Sequence, residues 1–137
     1  VYTADLEILL LDRADRDGFW QSVTGSRELN ESLDQTAVRE LSEETGINAS
    51  DYALSDWKIS NEFEIFKHWR GRYAPGVTHN MEHVFGLVVP ERVSINISPR
   101  EHTQFGWIQT EDAIDRAFSR TNADAFRFLL DTISSLR

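Results

Sequence analysis

Acidic side chains crowd the segment VRELSEETGI, residues 38 to 47, where Glu40, Glu43 and Glu44 share a short stretch with Arg39 as its cation. On a helix, residues three and four apart are surface neighbours, and like charges at that spacing cost about 0.2–0.5 kcal/mol per pair. Something must offset that repulsion. With a helical step of about 100° and Leu33 set at zero, Ala37 and Leu41 fall near about 40° and about 80° and mark the core-facing arc. Glu44 falls near about 20°, inside that arc, while Glu40 and Glu43 border it near about 340° and about 280°. Most charged runs are solvated helix faces, but a carboxylate inside an apolar arc is costly without a cation or a metal. Oxygen ligands at this spacing suit hard divalent cations, Mg²⁺ or Mn²⁺. The spacing therefore predicts a metal-binding cleft edge built from Glu40, Glu43 and Glu44.

The rest of the chain must position that edge. Its 137 residues are 40% hydrophobic and 27% charged, without repeats or low-complexity tracts, which predicts one domain over residues 1–137. The formal net charge of −9 argues against a nucleic-acid polymer or an anionic membrane as partner. A small phosphorylated ligand stays compatible, because a bound cation inverts the local charge. The absence of cysteine removes disulfides, thiolate nucleophiles and Cys-based metal sites, and fits a cytoplasmic setting. ILLL is far too short to span a bilayer and acids flank it, so neither a membrane span nor a secretory signal is expected.

EILLLD and FWQSV read as buried strands separated by the polar RADRDG. Ser32 with Gln35 forms a capping box for a helix over SLDQTAVRELSEET, and Gly46 sits where a C-terminal glycine belongs. WKISNEFEIFKHW alternates as a long strand would, with Ile59, Phe63, Ile65 and Trp69 on one side. RGRYAPGVTHN is a loop or hairpin connection, and HVFGLVVP, VSINI and FGWIQ read as further strands. Two helices close the chain, TEDAIDRAF and NADAFRFLLDTISSL, the second with an apolar stripe of Phe126, Leu129, Leu130 and Ile133. The pattern predicts an α/β (α+β) fold, a mixed sheet sandwiched between helices.

Gly25, five residues, Glu31, seven residues, REL, one residue, EE, one residue and GI together match the Nudix box over residues 25–47. A match at so many fixed positions is specific, and on it the chain resembles the Nudix hydrolases. The resemblance implies the Nudix fold, whose box is a loop–helix–loop that holds divalent cations, Mg²⁺ or Mn²⁺, against a diphosphate. It casts Glu40 and Glu44 as metal ligands and Glu43 as a further ligand or a participant in water activation. Arg39 would orient a box glutamate by an ion pair, Glu31 would take part through water or structure, and Glu101 in SPREHTQFGW is the candidate ligand outside the box.

FWQSVTGS and NEFEIFKHWRGRYAPGVTHNMEHVF are also similar to the Nudix enzymes that cleave dihydroneopterin triphosphate in bacterial folate biosynthesis. That similarity implies release of pyrophosphate and dihydroneopterin monophosphate, with no obligate protein partner. Arg13 and Thr24 would meet phosphate oxygens. Phe63, Glu64, Ile65 and Phe66 would border the pterin by stacking and hydrogen bonding, although Phe63 and Ile65 also fit the core of a strand. Ser119 is a further substrate position, and Arg70, Arg72 and Tyr73 would shape the same mouth or simply set a turn. The other readings are a nucleoside triphosphate or dinucleotide pyrophosphohydrolase, and a silent Nudix module that binds a ligand for regulation, which the complete box disfavours.

Overall fold

EILLLDR carries an unbroken buried run from Ile8 to Asp12, the burial of a strand covered on both faces. In the computed structural model, which describes residues 1–135 and the side chains of residues 1–132, this segment is β2 (Glu7–Arg13). One edge of β2 pairs antiparallel with β6 (His102–Gln109), from Glu7 opposite Gln109 to Arg13 opposite His102. Its other edge is shared by β1 (Tyr2–Thr3) near Ile8 and β3 (Trp20–Gln21) near Leu11 and Asp12. β1 runs parallel to β5 (His79–Val89), which pairs antiparallel with β4 (Ala53–Glu64). The sheet is mixed, as the sequence pattern predicts.

α1 (Leu33–Thr45) begins with the expected capping box: the Gln35 N–H donates to Ser32 Oγ at 3.1 Å, and the Ser32 N–H donates to Gln35 Oε1 at 2.8 Å. It ends at Gly46, whose φ of 77° is the left-handed conformation that glycine adopts without strain. α1 buries Leu41 against Ile47, Ala49, Leu87 and Val89 on one face of the sheet. On the other face α2 (Thr110–Arg116) and α3 (Arg120–Ser135) pack Ala113, Phe126 and Leu129 onto Ile8 and Leu10. Leu10 is fully buried, and Leu10→Ala would cost about 2–5 kcal/mol in lost burial and cavity. Leu130 is half-buried, and Ile133, the last position of the expected stripe, lies outside the described side chains. No helix among the described residues is long and apolar enough to cross a membrane.

The elements depart from expectation in three places. FWQSV narrows to the two residues of β3. VSINI is not a strand: Val93 and Ile95 pack into the core beneath α1, and the Asn96 N–H donates to the Thr45 carbonyl at 2.8 Å, so this backbone serves the helix end and not a ladder. The long strand stops at Glu64, and a 3₁₀ turn over Lys67–Arg72 removes Trp69 from it. Within β4 a bulge between Asp56 and Ile59 puts Lys58 at φ 57°, its N–H held by the Asp56 carboxylate at 2.8 Å. Beyond the bulge, Ile59 opposite Val84, Asn61 opposite Glu82 and Phe63 opposite Asn80 share one face.

Candidate active site

Arg39 is the clasp of the acidic helix. Its Nε and Nη2 donate to the two oxygens of Glu31 at 2.8 and 3.0 Å, a fork-to-fork pair. Its Nη1 donates to Glu40 Oε1 at 2.8 Å and Glu43 Oε2 at 3.2 Å, and its Nη2 also reaches the Ser26 carbonyl at 2.9 Å. One guanidinium thus ties the loop ahead of α1 to the carboxylates on it. The Thr36 hydroxyl donates to Glu31 Oε1 at 2.7 Å, and with Arg39 it holds the Glu31 carboxyl at about 2. Gly25 completes the docking, because a Cβ there would overlap the Glu40 carboxyl that Arg39 holds in place.

The three acids of α1 are graded by depth as the helical arc predicts. Glu44 is 2% exposed, Glu40 has a side chain 14% exposed, and that of Glu43 is 56% exposed. Burial raises the Glu44 carboxyl to about 9, reinforced by the charges of Glu40 and Glu101 and opposed by the Thr24 backbone N–H and Arg13. Glu40 is also raised, by burial first, with Arg39 pulling the other way. Glu101, at the approach to β6, completes a group with Glu44 and His102 whose potential ligand atoms all lie within 4.8 Å of one another.

Two atoms at this spot have no hydrogen-bond partner, Glu44 Oε2 and His102 Nδ1, and both are buried. Burial, with the charge of Arg13, depresses His102 and keeps it neutral. Its Nε2 stands 3.7 Å from Glu44 Oε1 and 3.5 Å from the Gln21 amide nitrogen. A buried carboxylate with an orphaned oxygen, beside further acids and a neutral imidazole, fits a divalent cation. The residues present suit that group.

Arg13 links this acidic end to an aromatic one. Its Nε and Nη2 donate to Asp15, both at 2.8 Å, its Nη1 donates to Gln21 Oε1 at 3.4 Å, and its guanidinium lies 4.3 Å above the Trp69 ring. Trp69 meets Phe66 edge-on at 5.3 Å, and Phe66 lies 5.9 Å from Phe118, which stacks on Phe19 at 4.7 Å. Phe66 is 45% exposed, with the His68 ring stacked beside it at 5.8 Å.

The remaining sequence candidates fall at different depths. Thr24 is exposed and reaches Glu44 through its backbone. Phe63 is half-buried on the α3 side of the sheet, and Ile65 is 3% exposed, a core residue. Glu64 faces solvent and pairs with Arg70 at 2.6 Å. Ser119 uses its hydroxyl to accept the Asn122 N–H at 3.0 Å, in the first turn of α3. Arg72 approaches Asp15 at 3.6 Å, and Tyr73 closes the 3₁₀ turn. Sequence reasoning passed over His102, Gln21, Phe19 and Phe118. For His102 the signal was its place beside Glu101, whereas Phe19 and Phe118 are brought together only by the fold.

The NUDIX domain profile matches residues 1–130. The chain belongs to the Nudix family. The dihydroneopterin triphosphate diphosphatase of Haemophilus influenzae is 42% identical over 130 residues, covering 93% of this Nudix chain and 81% of its own length. The Escherichia coli enzyme of the same description is 41% identical over 128 residues, covering 91% and 84% respectively. The solved structure of the E. coli dihydroneopterin triphosphate pyrophosphohydrolase matches with a TM-score of 0.89 at 40% identity, over 96% of this chain and 90% of that one. The segment that resembles the Nudix box in the sequence runs from the Gly25 loop through α1 to the Gly46 cap and carries the clasped acids described above.

Proposed function

We propose that the chain hydrolyses dihydroneopterin triphosphate to dihydroneopterin monophosphate and pyrophosphate. The observation that carries this reading is the 41–42% identity to two dihydroneopterin triphosphate diphosphatases over 91–93% of the chain. The geometry is compatible at both ends of such a substrate: carboxylates and Arg13 for the triphosphate, and an exposed aromatic ring for the bicycle.

Glu40, Glu44 and Glu101 would hold the cation, with the neutral His102 beside them, and the carboxylate-rich donor set favours Mg²⁺, with Mn²⁺ the alternative. When bound, such a cation neutralises phosphate charge and polarises the diphosphate linkage. Arg39 orients Glu31, Glu40 and Glu43 from one guanidinium, so the acids hold their relative placement before substrate arrives. Glu43, the most exposed of the three acids on α1, takes up the proton of the attacking water. Water adds at the α–β linkage, the bridging P–O bond breaks, and pyrophosphate leaves from the pterin monophosphate. Arg13 and the exposed Thr24 side chain meet phosphate oxygens, and Phe66 supplies the ring on which the pterin stacks. The preceding side chains, Phe63 to Ile65, shape and anchor that wall. A small phosphorylated intermediate as substrate accords with a cytoplasmic enzyme.

A substrate panel tests the reading. Dihydroneopterin triphosphate should give a kcat/KM at least about 100-fold above those of ATP and the dinucleotide Ap₄A, the selectivity of a site that pairs with a heterocycle's polar edge. Pyrophosphate should be the initial phosphate product. Orthophosphate alone, or equal turnover of all three compounds, would refute it.

A further inference from the structure

The α3 side of the β4–β5 hairpin carries a carboxylate that the chemistry above does not use. Glu82 is half-buried on β5, opposite Asn61 and two residues from Asn80, with Phe63 next on the same face. Its Oε2 accepts the Thr121 hydroxyl at 3.0 Å, and no cation pairs with it among the described residues. Burial raises its pKa, as expected where a carboxylate is partly desolvated without compensating charge. A half-buried acid without a cation costs stability, which invites a ligand able to donate to it.

The position matters as much as the burial. Thr121 bonds Ser119 at 3.0 Å, Ser119 follows Phe118, and Phe118 lies against Phe66, which also meets Trp69, the ring that carries Arg13. A continuous path thus runs from the phosphate-facing Arg13, across aromatic rings, to Glu82. A pterin triphosphate has the same order of parts: phosphates, then a flat bicycle, then a far edge. That far edge is a 2-amino-4-oxopyrimidine, with a ring N–H and an exocyclic amine pointing the same way. These adjacent donors match the two oxygens of a carboxylate, which has lone pairs to spare for Thr121.

We infer that Glu82 reads the amino and N–H edge of the substrate's heterocycle, and so sets the preference for a pterin over adenine nucleotides. The inference rests on the proposed function and adds a specificity-determining residue to it. Adenine lacks the 2-amino group and presents a bare ring nitrogen where the pterin presents N–H, so it leaves Glu82 facing a lone pair. Guanine carries the same donor edge as the pterin and is read by the same contact.

The experiment compares Glu82→Gln with the parent enzyme on dihydroneopterin triphosphate, GTP and ATP at saturating Mg²⁺. Glutamine keeps an oxygen for the Thr121 hydroxyl and removes a half-buried charge, so Tm should hold or rise. Its amide nitrogen, however, turns a donor toward a donor. The expected result is a fall of about 100-fold in the dihydroneopterin triphosphate to ATP ratio of kcat/KM, with the GTP to ATP ratio falling alongside and the Mg²⁺ titration unmoved. A selective parent whose ratio survives in the variant would overturn the role of Glu82. So would an equal loss on every substrate with a lowered Tm, the mark of a merely structural residue. A parent enzyme without any preference for the pterin is a different result: it overturns the proposed function itself and this inference with it.

Discussion

Glu44→Gln, compared with the parent protein in chelator from about pH 5 to about pH 9, isolates the proton that burial holds on this side chain. The folded pKa is raised to about 9 from an ordinary value of 4.5. Between those values the native state binds a proton that the unfolded chain has released. The stabilisation is therefore complete below the unfolded value and is lost as pH rises toward the folded one, at about 1.4 kcal/mol per pH unit for one proton. Across three pH units inside the window, the metal-free parent should lose about 4 kcal/mol relative to the variant. The variant is the necessary reference because titrating groups remote from Glu44 contribute equally to both proteins and cancel in the difference. Urea unfolding at each pH gives the numbers. Saturating Mg²⁺ should abolish the slope in the parent alone, since the cation takes the proton's place. Calorimetry in buffers of different ionisation enthalpy should then find about one proton released per ion bound near pH 7. A parent-minus-variant difference that stays flat with pH would refute the reasoning, and proton-neutral cation binding would do the same.

Glu40→Gln should lower kcat by at least about 100-fold in a folded protein, since it removes a charge that the transition state needs; normal turnover at saturating Mg²⁺ would count against its assignment. Glu101→Gln should raise the Mg²⁺ concentration needed for half-maximal rate by about 10-fold or more, and an unchanged titration would return Glu101 to the role of a solvated loop acid. Arg39→Lys keeps the charge but loses the fork that spans Glu31, Glu40 and Glu43, so kcat should fall about 100-fold through misplacement of the acids; a parent-like kcat would show that the clasp is dispensable. Gly25→Ala should push Glu40 out of place and lower kcat together with Mg²⁺ affinity, and a crystal structure of the variant with Glu40 unmoved would contradict the overlap.

Regular periodicity made part of this molecule readable in advance. Ser32, Gln35 and Gly46 announced both ends of α1 because capping is local chemistry, settled within one turn of chain. The helical arc also ranked Glu44 as the deepest acid before any neighbour was known, since angular position follows from 3.6-residue geometry alone. Where partners come from far along the chain, local pattern fails. Residues 93–97 have the composition of a strand, yet Asn96 gives its N–H to Thr45, and no local signal marks that choice. Trp69 keeps step with Ile59 and Phe63 in the sequence, but the strand ends at Glu64 and the 3₁₀ turn over Lys67–Arg72 takes Trp69 out of phase.

The same distinction decides what was visible of the site. Glu40, Glu43 and Glu44 lie within five residues of one another, so their joint purpose shows in the order of the chain. His102 meets Glu44, Gln21 meets His102, and Glu82 meets Thr121 across sequence separations that only a sheet and its covering helices can close. Phosphate chemistry can be packed into one helix and its flanking loop because a cation gathers neighbouring acids. Recognition of a flat heterocycle needs a wall on each side and a polar edge at the end, and those come from different elements. In this chain the candidate catalytic acids are therefore a local motif, while the groups proposed to choose the substrate are a product of the fold.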